Sequence, residues 1–350
     1  MCLLLVVLTS PQLIDKGAAL DGKSVLVSSF KNEAPFVLEF VAHHKVVGFD
    51  EIVIASNDCD DGTDIILTEL SKMGVIHHIP CGPVKNLSPQ SAAYYQVRSQ
   101  IDIDSSSWMM VLDADELLNI HAGQGSLKDL LSEQEDPDLI LVNWACFGSG
   151  GHSRWTDELS SSKFVRRLGV HQGPGVVKSL VKSPKLWNKI SNHHPFGWNG
   201  TREVRVAFEG GRRTKVVDGS AISLGAFRDV EPKTDSFELA QVNHYATRTE
   251  DSFSIRRSRG RGAGLTSQEN NRHTEMYFER MGRGMRFDDT ISRYRSETTS
   301  LISDFCANPE LRQAVEAGIV RYENKITAFW DSKSPLSEAH RAFGKFGIPR

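Results

Sequence analysis

Two aspartates two positions apart, Asp113 and Asp115, with Glu116 adjacent, follow the apolar run Trp108-Met-Met-Val-Leu112. If that run is a buried strand that turns after Asp113, both carboxylates enter the crevice at its carboxyl end, where open α/β sheets gather their ligands. Paired carboxylates there suit a hard divalent cation such as Mn²⁺ or Mg²⁺, which commonly shares its shell with substrate phosphates. Such an ion neutralises the charge that builds on a departing diphosphate. A solvated acidic turn or a helix N-cap is the competing reading of the same residues. Further along, Lys178 and the basic run Arg248, Arg256, Arg257, Arg259 and Arg261 offer cations to phosphate oxygens, the arginines as planar forks. Lys178 and Arg256 are therefore candidate phosphate contacts, although a surface lysine and a solvated helix face are the simpler readings. Asp157 and Glu158, just beyond Gly148-Ser-Gly-Gly151, are candidates by location for a base that takes a proton from an attacking hydroxyl.

The elements that must position these residues follow from periodicity. Short apolar runs at 24–28, 51–55, 75–79, 108–112 and 138–144 read as strands. Between them, helical patterns over 35–47, 61–73 and 89–101 place apolar residues on one face, with Pro35 in a first turn and Gly48 and Gly74 as stops. Strands spaced by helices of this length predict right-handed crossovers and a mostly parallel sheet. Beyond residue 148 the pattern loosens into glycine-rich loops, with a further strand expected over 237–242. After about residue 249 arginine-rich helices begin, including one over 309–331. The division expected is an N-terminal segment (1–22), an α/β domain (23–248) and a helical C-terminal region (249–350).

Composition narrows the function classes. With 41 Lys and Arg against 44 Asp and Glu over 350 residues, the formal charge is −3, so no global field draws in nucleic acid or an anionic membrane. The Arg-Gly stretch is too short and too poor in aromatics to change that. Five scattered cysteines without a C-x-x-C pair argue against a disulfide framework or zinc ribbon, and fit a reducing, cytoplasmic compartment. The apolar run 3–8 is far too short to span a bilayer. Peripheral contact with the inner face of a membrane stays open, should the acceptor be a lipid-linked or envelope glycan.

Taken in order, Lys31-Asn-Glu-Ala-Pro35, Glu39-Phe-Val-Ala-His-His44, Gly48-Phe-Asp50, Ala55-Ser-Asn-Asp-Cys-Asp-Asp-Gly-Thr63 and Leu112-Asp-Ala-Asp-Glu-Leu117 resemble the motif series of family-2-like glycosyltransferases. The form is that of a bacterial D-x-D-E branch related to the family-92 type. Asn143-Trp-Ala-Cys-Phe147, Lys178-Ser-Leu-Val181, His193-His194 and Val242-Asn-His-Tyr245 continue the likeness, which covers roughly residues 24–265. It implies a GT-A (Rossmann-like) fold with a mixed central sheet, a nucleotide-sugar donor with a UDP-sugar the leading candidate, and a glycan or other hydroxyl acceptor. It also implies a metal-dependent transfer that inverts the anomeric centre. By position, Glu33, Asn57 and Asp58 would lie near the donor's base and ribose. Asp113 and Asp115 would hold the ribose and the metal-diphosphate, and His244 would complete the metal shell, unless it is a structural histidine. Cys59 stands where the family often has serine, which leaves open whether Asp58, Asp60 or Asp61 touches the nucleoside.

Of the remaining histidines, His43 and His44 are expected to be structural, His152 a loop residue, and His193 and His194 to pack beside Trp187 and Trp198. Trp144, Trp155, Trp187 and Trp198 are core residues by default, with an acceptor groove as the alternative for one or two. Two rival functions share the pattern: a nucleotidyltransferase acting on sugar phosphates, which lacks a Gly-rich phosphate loop at Ser28-Ser-Phe-Lys-Asn32, and a non-catalytic carbohydrate-binding protein.

Overall fold

The computed structural model describes residues 20–169, 176–208, 213–219, 237–259, 274–284 and 286–333. Four apolar runs make the parallel half of the main sheet: β1 (Ser24–Phe30), β2 (Glu51–Ser56), β3 (His77–Pro80) and β4 (Trp108–Val111). They lie in the order β3-β2-β1-β4. Their central residues are buried, as expected of parallel strands covered by helices on both faces. The covering helices are α1 (Val37–Val47), α2 (Thr63–Lys72) and α3 (Pro89–Gln100). Gly48 ends α1 in the left-handed conformation, with φ 106°. Ser88 caps α3 by accepting from the Ser91 amide, and Pro89 fills the first turn.

The chain continues through β5 (Glu116–Ile120), α4 (Leu127–Ser132), β6 (Leu139–Cys146), α5 (Ser160–Lys163), β7 (Arg166–Arg167) and β8 (Val177–Lys182). Next come β9 (Trp187–Lys189), β10 (Phe196–Trp198), β11 (Val204–Phe208), β12 (Arg213–Val217) and β13 (Ala240–His244). The expectation of a mostly parallel sheet holds: β6 and β11 run with β1 to β4, and only β8 and β12 of the described strands in this order are reversed. β8 enters antiparallel between β4 and β6, and the whole sheet runs β12-β11-β6-β8-β4-β1-β2-β3. An antiparallel return needs no long helical crossover, and the only helix described between β6 and β8 is the four-residue α5. The mixed central sheet implied by the motif resemblance is thus present.

The strand β5 was not expected. Residues 116–120 leave the acidic motif, pair antiparallel with β13, and β13 in turn pairs parallel with β6. Through these pairings His244 lies opposite both Glu116 and Cys146. The strand expected over 237–242 is therefore displaced to 240–244, which carries His244 into the ladder.

Past residue 249 the described chain is largely helical: α6 (Glu250–Arg259), α7 (Glu275–Gly282), the short β14 (Arg286–Phe287), α8 (Arg295–Phe305) and α9 (Pro309–Lys333). The 25-residue α9 packs on α2, on α6 and on the 3-10 turn Ala34–Phe36 that precedes α1. Gly318 permits this approach, because a Cβ there would lie 3.1 Å from both Ala34 Cβ and Ile66 Cδ1. No described helix is long and apolar enough to cross a membrane. Cys59, Cys81, Cys146 and Cys306 are free thiols, whereas residues 1–19 lie outside the described residues.

His43 and His44 are structural, as expected, and both are buried on α1. His43 Nε2 donates to the Leu118 carbonyl at 2.7 Å, and His44 Nε2 accepts from the Leu118 amide at 3.2 Å. His44 Nδ1 then donates to Phe40 O, which fixes the neutral tautomer. Burial lowers the His43 pKa from 6.5 to about 4, and His44 lies well below its ordinary value for the same reason. Both groups bind protons more readily when unfolded, so the stability they contribute is complete above about pH 6.5 and is lost as pH falls towards 4. For His43 this is on the order of 3 kcal/mol. The urea midpoint should decline over that window, and His43→Gln, which keeps a donor for Leu118, should flatten the slope. Parallel pH profiles for the two proteins would refute the assignment.

Candidate active site

β1 and β4 are neighbours, with Val27 opposite Val111, so the loops at their carboxyl ends share one crevice. Ser28 Oγ reinforces the pairing by donating to Leu112 O at 2.6 Å. Beyond β1 the chain turns at Asn32, which has a φ of 54°, and presents Glu33. The Glu33 backbone is fixed by Thr63 Oγ1, which accepts from its amide at 2.8 Å. Beyond β4 it presents Asp113, then Asp115, whose carbonyl accepts from Tyr245 N at 2.8 Å just past β13. Glu33 and Asp115 are only 4% and 2% exposed.

Two carboxylates this deep require counter-charge, and the C-terminal region supplies it. Thr249 caps α6, its hydroxyl accepting from Ser252 N at 3.1 Å, and Asp251 pins the same end through Trp155 N and Trp330 Nε1 at 2.9 and 2.7 Å. Arg256 and Arg259, three apart on α6, then face the crevice. Arg259 lies 2.6 Å from Glu33 Oε1, Arg248 lies 3.1 Å from Glu33 Oε2, and Arg256 is ion-paired to Asp115 Oδ2. Arg248 also covers the Phe36 ring at 3.4 Å and donates to Ala114 O, from a backbone held at φ 45°. Burial pushes the Glu33 carboxyl up, but Arg259, Arg248 and Arg256 together outweigh it and hold it below the ordinary range. Asp115, likewise opposed by burial, is drawn well below the carboxylate range by Arg256 and His244. Glu33, Arg248, Arg256 and Arg259 line a cleft with Phe36, Thr247, Ile255 and Tyr322, and Asp115 borders an adjoining recess that shares Phe36 and Arg248 with it. Thus Arg248, Arg256 and Arg259 turn inward, contrary to the solvated face expected of most of the basic run. Only Arg257 follows that expectation, half-exposed beside Glu275. Arg261 lies outside the described residues.

A second charge cluster lies alongside. Lys178, expected at the surface or on phosphate, is fully buried on β8, a correction that follows from β8 being the sheet's central return strand. Its ammonium sits 3.1 Å from Asp113 Oδ2, 2.8 Å from Glu116 Oε2 and 2.6 Å from Asn192 Oδ1. Gln90 Nε2 donates to the other Asp113 oxygen at 2.7 Å. Burial drives the Glu116 carboxyl well above its ordinary range in spite of Lys178, while Asp113 and Glu116 keep the Lys178 ammonium charged against its own burial.

The residues expected to share one divalent ion do not converge. Asp115 Oδ2 and His244 Nε2 are 3.3 Å apart and would fit two donors, but Arg256 is seated on that same oxygen. Asp113 instead faces Lys178 and Gln90. Among the described residues no group of three or more His, Cys, Asp or Glu is placed to hold a metal. His244 is packed flat on Trp144, with ring centres 3.9 Å apart, and its Nδ1 is buried without a partner among the described residues.

Other expectations resolve individually. Asp61 is fully buried and structural, accepting from Thr63 N, Thr63 Oγ1 and Ala34 N. Asp60 pairs with Lys325 of α9, and Asp58 stands exposed at the turn beside Asn57 and Lys31. Asn57 and Asp58 do not line the cleft. Asp157 and Glu158 are exposed and also outside it, because Glu158 is tied to Thr156 and Lys163 and Asp157 faces Glu323 of α9. His152 is an exposed loop residue, as expected. His193 packs on Trp144 and His194 on Phe196, whereas Trp187 and Trp198 pack on each other. Sequence reasoning missed Gln90, Asn192 and Tyr322. A helical stripe that places Tyr322 over Gly318 was the one available signal.

Lys178→Met should leave the buried Glu116 and the partly buried Asp113 without their cation and cost about 3–5 kcal/mol in urea unfolding. Adding Glu116→Gln should recover part of that loss. A loss under about 1 kcal/mol would mean the cluster is solvated.

A glycosyltransferase family 92 protein of rice (Oryza sativa subsp. japonica) is 24% identical over 170 residues, which is 47% of this chain and 28% of the rice protein's length. Among solved structures, Staphylococcus aureus TarS 1–349 covers 88% of this chain and 83% of its own at 11% identity, with a TM-score of 0.35. The same protein in complex with UDP aligns over 46% of this chain and 47% of its own at 14% identity, with a TM-score of 0.31. The model of glycosyltransferase family 92 matches residues 27–256, from within β1 to Arg256 itself. Of the two families that the motifs resemble, it is therefore glycosyltransferase family 92 to which the chain belongs.

Proposed function

We propose that the protein transfers a sugar from a nucleoside-diphosphate-sugar to a hydroxyl acceptor, with a glycan as the acceptor class. One observation carries the reading: Glu33 and Asp115, buried and ionised, sit at the carboxyl ends of adjacent parallel strands beneath a layer of guanidiniums. That is where open α/β sheets take ligands. The charge pattern suits a donor with two faces, since carboxylates accept from ribose hydroxyls while guanidiniums pair with phosphate oxygens. Family membership supports the same reading.

In the reaction the acceptor oxygen attacks the anomeric carbon. The bond from that carbon to the diphosphate oxygen breaks with its electron pair, the hydroxyl proton passes to a base, and direct displacement inverts the centre. Asp115 suits the role of anchor better than that of base, because a carboxyl held well below its ordinary range is a weak proton acceptor near neutrality. Trp144, half-buried beside His244, offers an aromatic surface near the same end of β6 for a sugar ring.

The test incubates the full chain with UDP-, GDP-, CDP- and dTDP-sugars plus glycan acceptors and measures release of the nucleoside diphosphate. One donor should be turned over in an acceptor-dependent way, and Asp115→Asn should lower turnover roughly 100-fold or more while remaining folded by circular dichroism. The anomeric configuration of the product, read by NMR, checks inversion. Wild-type turnover by Asp115→Asn would sink the proposal.

A further inference from the structure

Among the described residues, three cations stand against two carboxylates at this cleft. Arg248, Arg256 and Arg259 face Glu33 and Asp115, so this group of five carries one positive charge in excess. Two polar atoms on residues lining the same cleft are also buried without partners among the described residues: Thr247 Oγ1 on a residue 1% exposed, and Arg248 Nε on a residue 6% exposed. An unpaired hydroxyl, an unpaired guanidinium N–H and a surplus of positive charge are jointly satisfied by an anion with several oxygens. Meanwhile the carboxylate that would anchor a divalent ion, Asp115, already holds a guanidinium, and Asp113 is committed to Lys178.

From this disagreement between the donor set and a metal we infer that Arg256 is the resident cation of the site, and that a diphosphate is held by Arg248, Arg256, Arg259 and Thr247 without a divalent ion. The inference rests on the donor reading above and deepens it by naming what carries the leaving-group charge. A guanidinium on a flexible side chain can pass from Asp115 Oδ2 to a phosphate oxygen as the anion enters. Asp115 then keeps His244 at 3.3 Å as its neighbour. A fork of donors binds two oxygens at once, which a single ammonium does not reproduce.

Calorimetric titration of the full chain with pyrophosphate and with UDP, GDP, CDP and dTDP, in EDTA and in excess Mn²⁺, tests the idea. Wild type should bind a nucleoside diphosphate with affinities within about threefold in the two conditions. In EDTA, Arg256→Met should weaken binding about tenfold or more and Arg256→Lys by an intermediate amount, while Arg257→Met, on the exposed side of α6, should bind as wild type. Arg256→Met should also acquire a Mn²⁺ site at Asp115 and His244, visible by electron paramagnetic resonance, that the wild type lacks. Unfolding midpoints taken alongside establish that each variant is folded, and Arg256→Lys supplies the comparison should Arg256→Met prove unstable. Binding that needs Mn²⁺ in the wild type, or that is unchanged in both Arg256 variants, overturns the inference and leaves the donor reading standing. Pyrophosphate binding with no nucleoside preference has the opposite outcome: it sustains the arginine site and removes the donor reading.

Discussion

Two buried carboxylates organise this molecule. Removing Glu33 and Asp115 from water is costly unless cations and hydrogen bonds accompany them, and breaking such a pair strands a charge in a low-dielectric interior. Both stand where the sheet's geometry places them, at the ends of β1 and β4, and neither strand provides a cation. The arginines come from residues 248–259, more than 130 positions away from Asp115 along the chain. This requirement explains why α6 lies over the crevice, and why α9, packed on α6, α2 and the turn before α1, belongs to the same body.

The two neighbouring charge clusters differ in kind. Around Lys178 the cation is enclosed, its partners come from the turn after β4, from β5 and from the loop before β10, and every distance is that of a hydrogen bond. Its work is to orient: it fixes Asp113, while Asp113 N donates to Glu116 Oε2 at 2.8 Å and shapes the turn that delivers Asp115. Around Glu33 the cations outnumber the anions and polar atoms are left over. The first cluster encloses one cation with two carboxyl groups and leaves only Glu116 Oε1 over among the described residues, whereas the second, with three cations to two carboxylates, has capacity for a further negatively charged group.

Much of this was legible in the residues. Continuous apolar runs between helical periods gave β1 to β4 and α1 to α3 nearly at their observed limits, because parallel strands buried on both faces leave an unambiguous pattern. The end of β4 was correctly marked by Asp113, Ala114 and Asp115. What sequence could not supply was partnership. An isolated lysine in Lys178-Ser-Leu-Val181 reads as surface because burial depends on β8 lying at the middle of the sheet, a matter of strand order. Similarly, the inward turn of Arg256 and Arg259 and the outward turn of Arg257 depend on which face of α6 meets the crevice, and the apolar pattern of α6 is too weak to decide it. Glu116, adjacent to the paired aspartates in the motif, lies in the interior because β5 pairs with β13 opposite His244.

The reach of α9 to the turn at Ala34–Phe36 has a consequence for how the protein is made. On the ribosome, chains form domain by domain from the amino terminus, so β1 to β4 emerge long before Arg248, and Tyr322 follows later still. During that interval Glu33 and Asp115 sit at an uncovered rim, hydrated and mutually repelling, and the nascent sheet must hold together on its apolar faces alone. Closure of the rim is thus a late event of biosynthesis. A ribosome-bound intermediate halted before residue 248 has the floor of the crevice without its roof.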